Sequence, residues 1–282
     1  MEASKFPLWI AVLGGIAVYS VLLEFELRSP LRRSVESKLT RNVRNLTIAG
    51  LSAFAVNIAQ TPIAMRLAVL VGEKKWGLLG LVSLPLWAEV VLAVVLLDYT
   101  LYVWHVLTHR VPWLWRFHVV HHVDLDMDAS TALRFHFGEM IISVPWRAGQ
   151  ILLIGVSPLS FAIWQSFLLV MILFHHANVR LPLEIERSLN LLIVTPRMHG
   201  IHHSTIREDA DSNWSSGFTL WDWLHGSLRL KVPQKEITIG VPAYRTPTEA
   251  GLLRMLKLPF VKQKPSWQFA EGDRPAHMDS NT

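Results

Sequence analysis

Five apolar runs dominate the chain, at residues 6–23, 45–71, 77–104, 140–156 and 158–174. A helix needs roughly 20 mostly apolar residues to cross a bilayer, and only helices or closed barrels satisfy their own backbone there. The first three runs meet that length. The last two are shorter and are parted by Ser157 and Pro158, which predicts a helical hairpin at the lower limit for spanning. Composition agrees, with 51% hydrophobic and 17% charged residues and a mean hydropathy of +0.31. The expected fold is all-α: an integral-membrane helical bundle of about three full spans plus a short hairpin, with a helical cap on one face.

Details within the runs refine this. The first continues into "EFELRSPLRR" without a small-residue cleavage site, so it reads as a retained helix rather than a signal peptide. Pro62, with Asn57 and Gln60 before it, predicts a kink or a buried polar face in the second. Arg147, inside the fourth, is expensive in lipid unless it is covered, wetted or snorkelling.

Net charge is +5, but the basic residues make no long run interleaved with aromatics, which argues against nucleic-acid binding. Arg28, Arg32, Arg33, Lys38, Arg41 and Arg44 instead follow the first apolar run, as a cytoplasmic loop facing anionic lipid would. With that loop inside, the third run returns to the cytoplasm at its C-terminal end, and the hairpin goes out and back. The C-terminus is then cytoplasmic as well. The polar, Pro-bearing stretch 261–282 predicts a disordered tail. The absence of cysteine excludes disulfides, iron–sulfur clusters and thiolate metal sites.

That topology gathers the histidines. "HVLTH" at 105–109, "HVVHH" at 118–122 and "HGIHH" at 199–203 hold eight of the thirteen. Residues three and four apart share a helical face, so His105 and His109, His118 with His121 and His122, and His199 with His202 and His203 each converge. Thr195 and Pro196 predict a helix start just before the last box. Clustered imidazoles repel when protonated and leave nitrogens unpaired when neutral, and a metal offsets both penalties. Eight donors exceed one coordination sphere, which predicts two metals. Imidazole suits iron, copper, nickel and zinc alike, while an all-nitrogen shell with an open position fits iron reacting with dioxygen. His225 and His277 stand alone and receive no role. Asp98, seven before His105, is expected to orient that imidazole, and Glu139, three after His136, offers the same possibility. Asp124 and Asp126 read as solvated loop charges or helix caps.

The order of these boxes in a membrane chain resembles the fatty acid hydroxylase/sterol desaturase superfamily of histidine-box di-iron oxygenases. The resemblance runs over about residues 90–230, through "DYTLYVWHVLTHRVPWLWRFHVVHH", "STALRFHFGE", "FHHANVRLP", "VTPRMHGIHHS" and "NWSSGFTLWDWLHGS". It implies metal ligation by His105, His109, His118, His121, His122, His199, His202 and His203, with His176 and His136 added and His175 left as a neighbour. It also implies two iron ions, with zinc a ready substitute in purified protein, and dioxygen as co-substrate. The reaction would be hydroxylation or desaturation of a fatty acyl chain, sterol or related lipid. No nucleotide-binding glycine motif or electron-transfer domain accompanies the boxes, so a separate reductase with a ferredoxin or cytochrome b5-like protein is expected as electron donor. Phe137 after His136, His225 in "WDWLHG" and the "NWSSG" string depart from the family pattern. A metal transporter or a non-catalytic metal- or haem-binding membrane protein is the alternative reading. The expected division is 1–89 for the N-terminal helices and basic loop, 90–230 for the catalytic domain, and 231–282 for a C-terminal extension.

Overall fold

The computed structural model describes residues 8–269, so His277 and the last residues of the expected tail lie outside it. The described residues form helices and short turns without a sheet; only isolated bridges occur. In chain order the helices are α1 (Leu8–Arg28), α2 (Lys38–Ala55), α3 (Thr61–Lys74), α4 (Leu86–Arg110), α5 (Pro112–His122), α6 (Phe137–Ile142), α7 (Val144–Ile154), α8 (Pro158–His176), α9 (Leu183–Leu189), α10 (Pro196–His202), α11 (Arg207–Ala210), α12 (Leu220–Leu224) and α13 (Leu252–Lys257). Three described segments are long and apolar enough to cross a membrane: Lys38–Leu81, Leu86–Arg110 and Pro158–His176.

Helices α2 and α3 are one rod joined by a π-helical turn at Val56–Gln60. Pro62 follows directly and has no N–H to give to the turn before it, so the backbone widens there, at the place the polar residues marked. Gln60 turns inward and donates to the Ser143 hydroxyl at 3.0 Å. The fourth apolar run is not one helix: it breaks at Ser143, and Pro145 starts α7 afresh. At 11 residues α7 cannot span alone, whereas α8, at 19, qualifies. Arg147 is covered: its guanidinium lies 4.3 Å from the Trp164 ring centre and Nη1 donates to Gln150. Gly155 ends α7 in the left-handed conformation, φ +85°. A Cβ on Gly155 would stand 2.6 Å from the Trp76 carbonyl oxygen, so only glycine makes this corner.

From that corner α8 runs back beside α4, and Ser160 near its start faces Glu89 near the start of α4. The two helices are therefore parallel, and both end in histidines at the same end of the bundle. The cap over that end is α5, α9 to α13 and the connecting loops.

The cap is fastened to α2 by buried charge. Arg41 donates to Asp124 at 2.9 Å and to Asp128 at 2.6 Å. Arg44 bridges Glu36 and Asp124, Asn45 reaches Asp124 and Ser130, and Arg134 Nη1 donates to the Asn45 side-chain oxygen. Asp126 accepts from the backbone N–H groups of Val35 and Glu36. Asp124 and Asp126 are thus buried and partnered, not solvated loop charges. The basic run is corrected in the same way: Lys38, Arg41 and Arg44 face these carboxylates rather than lipid. Burial alone would raise the Asp124 carboxyl, but Arg41, Arg134 and Arg44 hold it well below the usual carboxylate range.

The described part of the expected tail is also ordered. Trp267 stacks on Trp115 with ring centres 5.7 Å apart, Trp115 Nε1 donates to the Ser266 hydroxyl, and Gln263 donates to the Arg116 carbonyl. Val241, Tyr244, Met255 and Leu258 share one core with Ile48, Val119 and Val120. Burying two tryptophan faces outweighs ordering a short polar segment, a gain the local composition does not show.

Candidate metal centre

Four elements deliver the imidazoles. His105 and His109 lie one turn apart at the end of α4, and α5, started by Pro112, carries His118, His121 and His122. The end of α8 carries His175 and His176. Helix α10 begins after Thr195 with Pro196, as the sequence predicts, and carries His199 and His202, with His203 as its C-cap.

The side chains fall into two sets of four. His105, His109, His122 and His202 form one, His121, His176, His199 and His203 the other, each with its donor nitrogens within 4.8 Å of one another. Each set draws on three helices. Consecutive residues on a helix point about 100° apart, so the adjacent pairs His121–His122 and His202–His203 divide between the sets. The sets touch: the rings of His122 and His203 stack with centres 4.3 Å apart.

Hydrogen bonds fix the tautomers. The Nδ1 atoms of His105, His202 and His176 lie 2.7, 2.8 and 2.8 Å from the backbone carbonyl oxygens of Trp214, Ser212 and Ile172. A carbonyl accepts only, so each Nδ1 carries the proton and each Nε2 presents a bare lone pair. The Nε2 atoms of His105, His122 and His202 are buried without a partner, as are both ring nitrogens of His109 and His203. In the second set, Nε2 of His176 lies 3.1 Å from Nε2 of His121 and from Nε2 of His199. One lone pair cannot satisfy both neighbours. So many buried, unsatisfied donors in one place fit a cation at each set. Burial first, and neighbouring imidazoles second, hold His121, His122, His199 and His203 well below the usual histidine range; burial brings His202 down to about 3. They are therefore neutral at pH 7, the form that ligates.

A pH dependence follows. Unfolding releases these groups to titrate at their ordinary value of about 6.5, whereas in the fold they stay unprotonated. Below about pH 6.5 the unfolded chain binds more protons, so their contribution to stability is present above that value and lost as pH falls. Chelator-treated protein is expected to melt at a lower temperature at pH 5 than at pH 7, and metal-loaded protein to shift by at least as much, because bound metal also keeps these imidazoles unprotonated. Thermal scans at both pH values check this.

The other predicted residues divide. His118 belongs to neither set but stands between them, its ring centre 5.1 Å from His105 and 5.4 Å from His121. Its Nδ1 is 2.9 Å from Glu139 Oε1, and its Nε2 is buried and unpartnered, which leaves it as a further donor. Glu139 therefore orients His118, not His136. Glu139→Gln weakens that hold and is expected to lower metal affinity by about 10–100-fold, read by competition with a chelator. His175 lies against His199, centres 4.1 Å apart, outside both sets. His136 is corrected: it caps α6, with Nδ1 accepting from Gly138 N–H and Nε2 near the Leu256 carbonyl, so both nitrogens are engaged.

Asp98 is corrected too. It does not touch His105; its Oδ2 accepts from Phe218 N–H at 2.9 Å and Trp221 Nε1 at 2.7 Å. Asp98 ties the 214–224 segment to α4, and that segment returns the Trp214 carbonyl to His105. Asp222 completes the hold by accepting from the N–H groups of Trp214 and Ser215. The carbonyls of Trp214 and Ser212 carry no side-chain signal, which is why the sequence pattern misses them.

Comparison with known proteins agrees with this geometry. The fatty acid hydroxylase family matches residues 90–227. Ornithine lipid hydroxylase OlsE of Rhizobium tropici is 29% identical over 180 residues, 64% of this chain and 52% of that protein. Cholesterol 25-hydroxylase of Homo sapiens is 29% identical over 163 residues, 55% of this chain and 53% of that protein. Alkylglycerol monooxygenase of Homo sapiens is 29% identical over 130 residues, 46% of this chain and 28% of that protein. The chain spans about half the length of the first two relatives. No solved structure matches it. Residues 90–227, which contain both histidine sets, match the fatty acid hydroxylase family.

Proposed function

We propose that the protein is a membrane-bound, dioxygen-dependent lipid hydroxylase with one iron ion at each histidine set. The observation that carries this reading is the pair of adjoining four-histidine sets at one end of the membrane-crossing helices. When bound, a pair of iron ions would activate dioxygen, the oxidant, for attack on an unactivated C–H bond, with electrons from the separate donor. The protein's part is placement. The carbonyls of Trp214, Ser212 and Ile172 hold three imidazoles in the ligating tautomer, and the buried cap keeps bulk water from the site. A chain or ring system still in the bilayer has the shortest path to a site at the ends of α4 and α8. The relatives, named as hydroxylases of ornithine lipid and cholesterol and as a monooxygenase of alkylglycerol, support a lipid as substrate.

Residues 90–230 act as the catalytic domain, the histidine face is cytoplasmic, and a separate reductase with a ferredoxin or cytochrome b5-like protein delivers electrons. Gathering of the histidines at one end, rather than along the membrane depth, favours an enzyme over a metal conduit.

The test is lipid profiling of aerobic cells supplied with a compatible reductase. Cells with the wild-type protein are expected to contain a lipid heavier by one oxygen, absent from cells with the His121→Ala, His202→Ala double variant, which opens one ligand in each set. Identical profiles would overturn the reading.

A further inference from the structure

Three arginines of the basic run escape the buried carboxylates, and Arg28 pairs with exposed Glu24 on its own helix. The other two, Arg32 and Arg33, meet Arg180, Arg197 and Lys235 around a cavity of about 560 Å³ that Gln234 also lines. The fold builds this convergence deliberately from two helix ends. The chain leaving α1 is pinned to the chain leaving α8: Pro30 bridges Val179, Leu31 N–H donates to the Asn178 carbonyl, and Arg180 N–H donates to the Ser29 carbonyl. Asn178 Oδ1 accepts from Arg32 N–H at 2.8 Å, which sets the direction of the Arg32 side chain.

That side chain lies flat across α10. Nη2 donates to the Pro196 carbonyl at 3.2 Å and to Gln234 Oε1. It passes over Gly200, inside the third histidine box, where an added Cβ would stand 1.8 Å from Nη2. Nε and Nη1 of the same guanidinium are buried and have no partner. Burial and the neighbouring Arg197 bring Arg32 down to about 10, so it remains charged at neutral pH.

No acidic residue lines this cavity. Glu186, nearby, is already engaged by Arg197, whose Nε lies 2.6 Å from Oε2 and whose N–H donates to Oε1. Five cations therefore share one cavity with one carboxylate at its edge, and the most buried of them keeps two N–H groups unanswered. Planar guanidinium forks match phosphate oxygens.

Position and walls select the source of the phosphate. Arg32 and Arg180 each follow the last residue of α1 or α8 by four positions, which puts the cavity at the level of lipid headgroups on the histidine side. A second cavity of 580 Å³ shares Arg197 and Gln234 and is walled by Leu183, Leu191, Leu228 and Leu230. Free phosphate has no use for that apolar extension; a lipid does.

We propose that this cavity binds the phosphate of an anionic phospholipid headgroup, with Arg32 Nε and Nη1 as inner donors and Arg33, Arg180 and Lys235 at the rim. The reading rests on the placement of α8 in the bilayer and not on the metal chemistry, so the two can fail separately.

The test titrates full-length protein in detergent with short-chain phosphatidylglycerol, phosphatidylcholine or inorganic phosphate. Native mass spectrometry counts the bound lipid. Wild type is expected to favour phosphatidylglycerol over phosphatidylcholine by about tenfold, on the order of one cation's share of headgroup attraction. Arg32→Gln is expected to abolish the preference and the rim double variant Arg33→Gln, Arg180→Gln to reduce it several-fold. The control Lys74→Gln, Lys75→Gln, at the opposite end of the bundle, removes the same charge and is expected to leave it intact. The rim variant keeps the test decisive if Arg32→Gln fails to fold. Equal affinity for the two lipids, an unchanged preference in the rim variant, or an equal loss in the control would overturn the proposal. Inorganic phosphate competing at concentrations equal to the lipid's would overturn the lipid assignment.

Discussion

Arg41→Met is expected to destabilise the fold by about 3–5 kcal/mol, the usual cost of removing one partner from a buried ion pair. Arg41 is almost fully buried and is held by both Asp124 and Asp128. Methionine matches its stem but leaves two carboxylates facing each other out of water. For a chain of this size the loss corresponds to an apparent melting temperature lower by about 10 °C. Arg41→Lys should fall between, because one ammonium cannot answer two carboxylates with a planar fork. The measurement belongs at pH 7: Asp124 is held well below the usual carboxylate range, so its contribution is full above about pH 4 and fades as pH falls below that. A melting temperature equal to wild type would mean that this network does not fasten the cap to α2.

The second large effect is on chemistry rather than stability. His121→Ala removes a donor from one set and His122→Ala from the other, and each is expected to lower product formation more than about 100-fold, beyond what losing an outer partner costs. Neither ring anchors a helix, so melting temperatures in chelator should stay close to wild type. The contrast with His136→Ala is the useful one. His136 caps α6 and meets no set, so its loss should lower stability while turnover per folded molecule is retained. Product formed at wild-type rates by His121→Ala or His122→Ala would remove those residues from the centre.

The two pairs of substitutions also mark where sequence pattern stops being informative. The boxes were legible because ligand spacing on a helix is local: three or four residues make one face, and three boxes make a cluster. Their division was not. That His121 and His122 serve different sets follows from a 100° rotation whose reference is the tertiary placement of α5. Asp124 and Asp126 look like loop charges for the same reason, since Arg41 lies more than eighty positions earlier in a stretch that reads as a basic loop facing lipid. Asp98 sits at the right spacing to reach His105, yet Phe218 and Trp221 reach it first. The apolar runs predicted the bundle well. They overstated the fourth run, where Ser143 and Pro145 divide it, and understated α8, which is long enough to cross.

The protein folds two adjoining cages of imidazole at one end of its bundle, and each is expected to hold a metal ion. Elemental analysis of gently purified, iron-supplied wild-type protein tests it most directly. Two tightly held transition-metal ions per chain, one for each histidine set, is the predicted result. Protein that folds fully and retains none, or that never exceeds one under saturating metal, would contradict it.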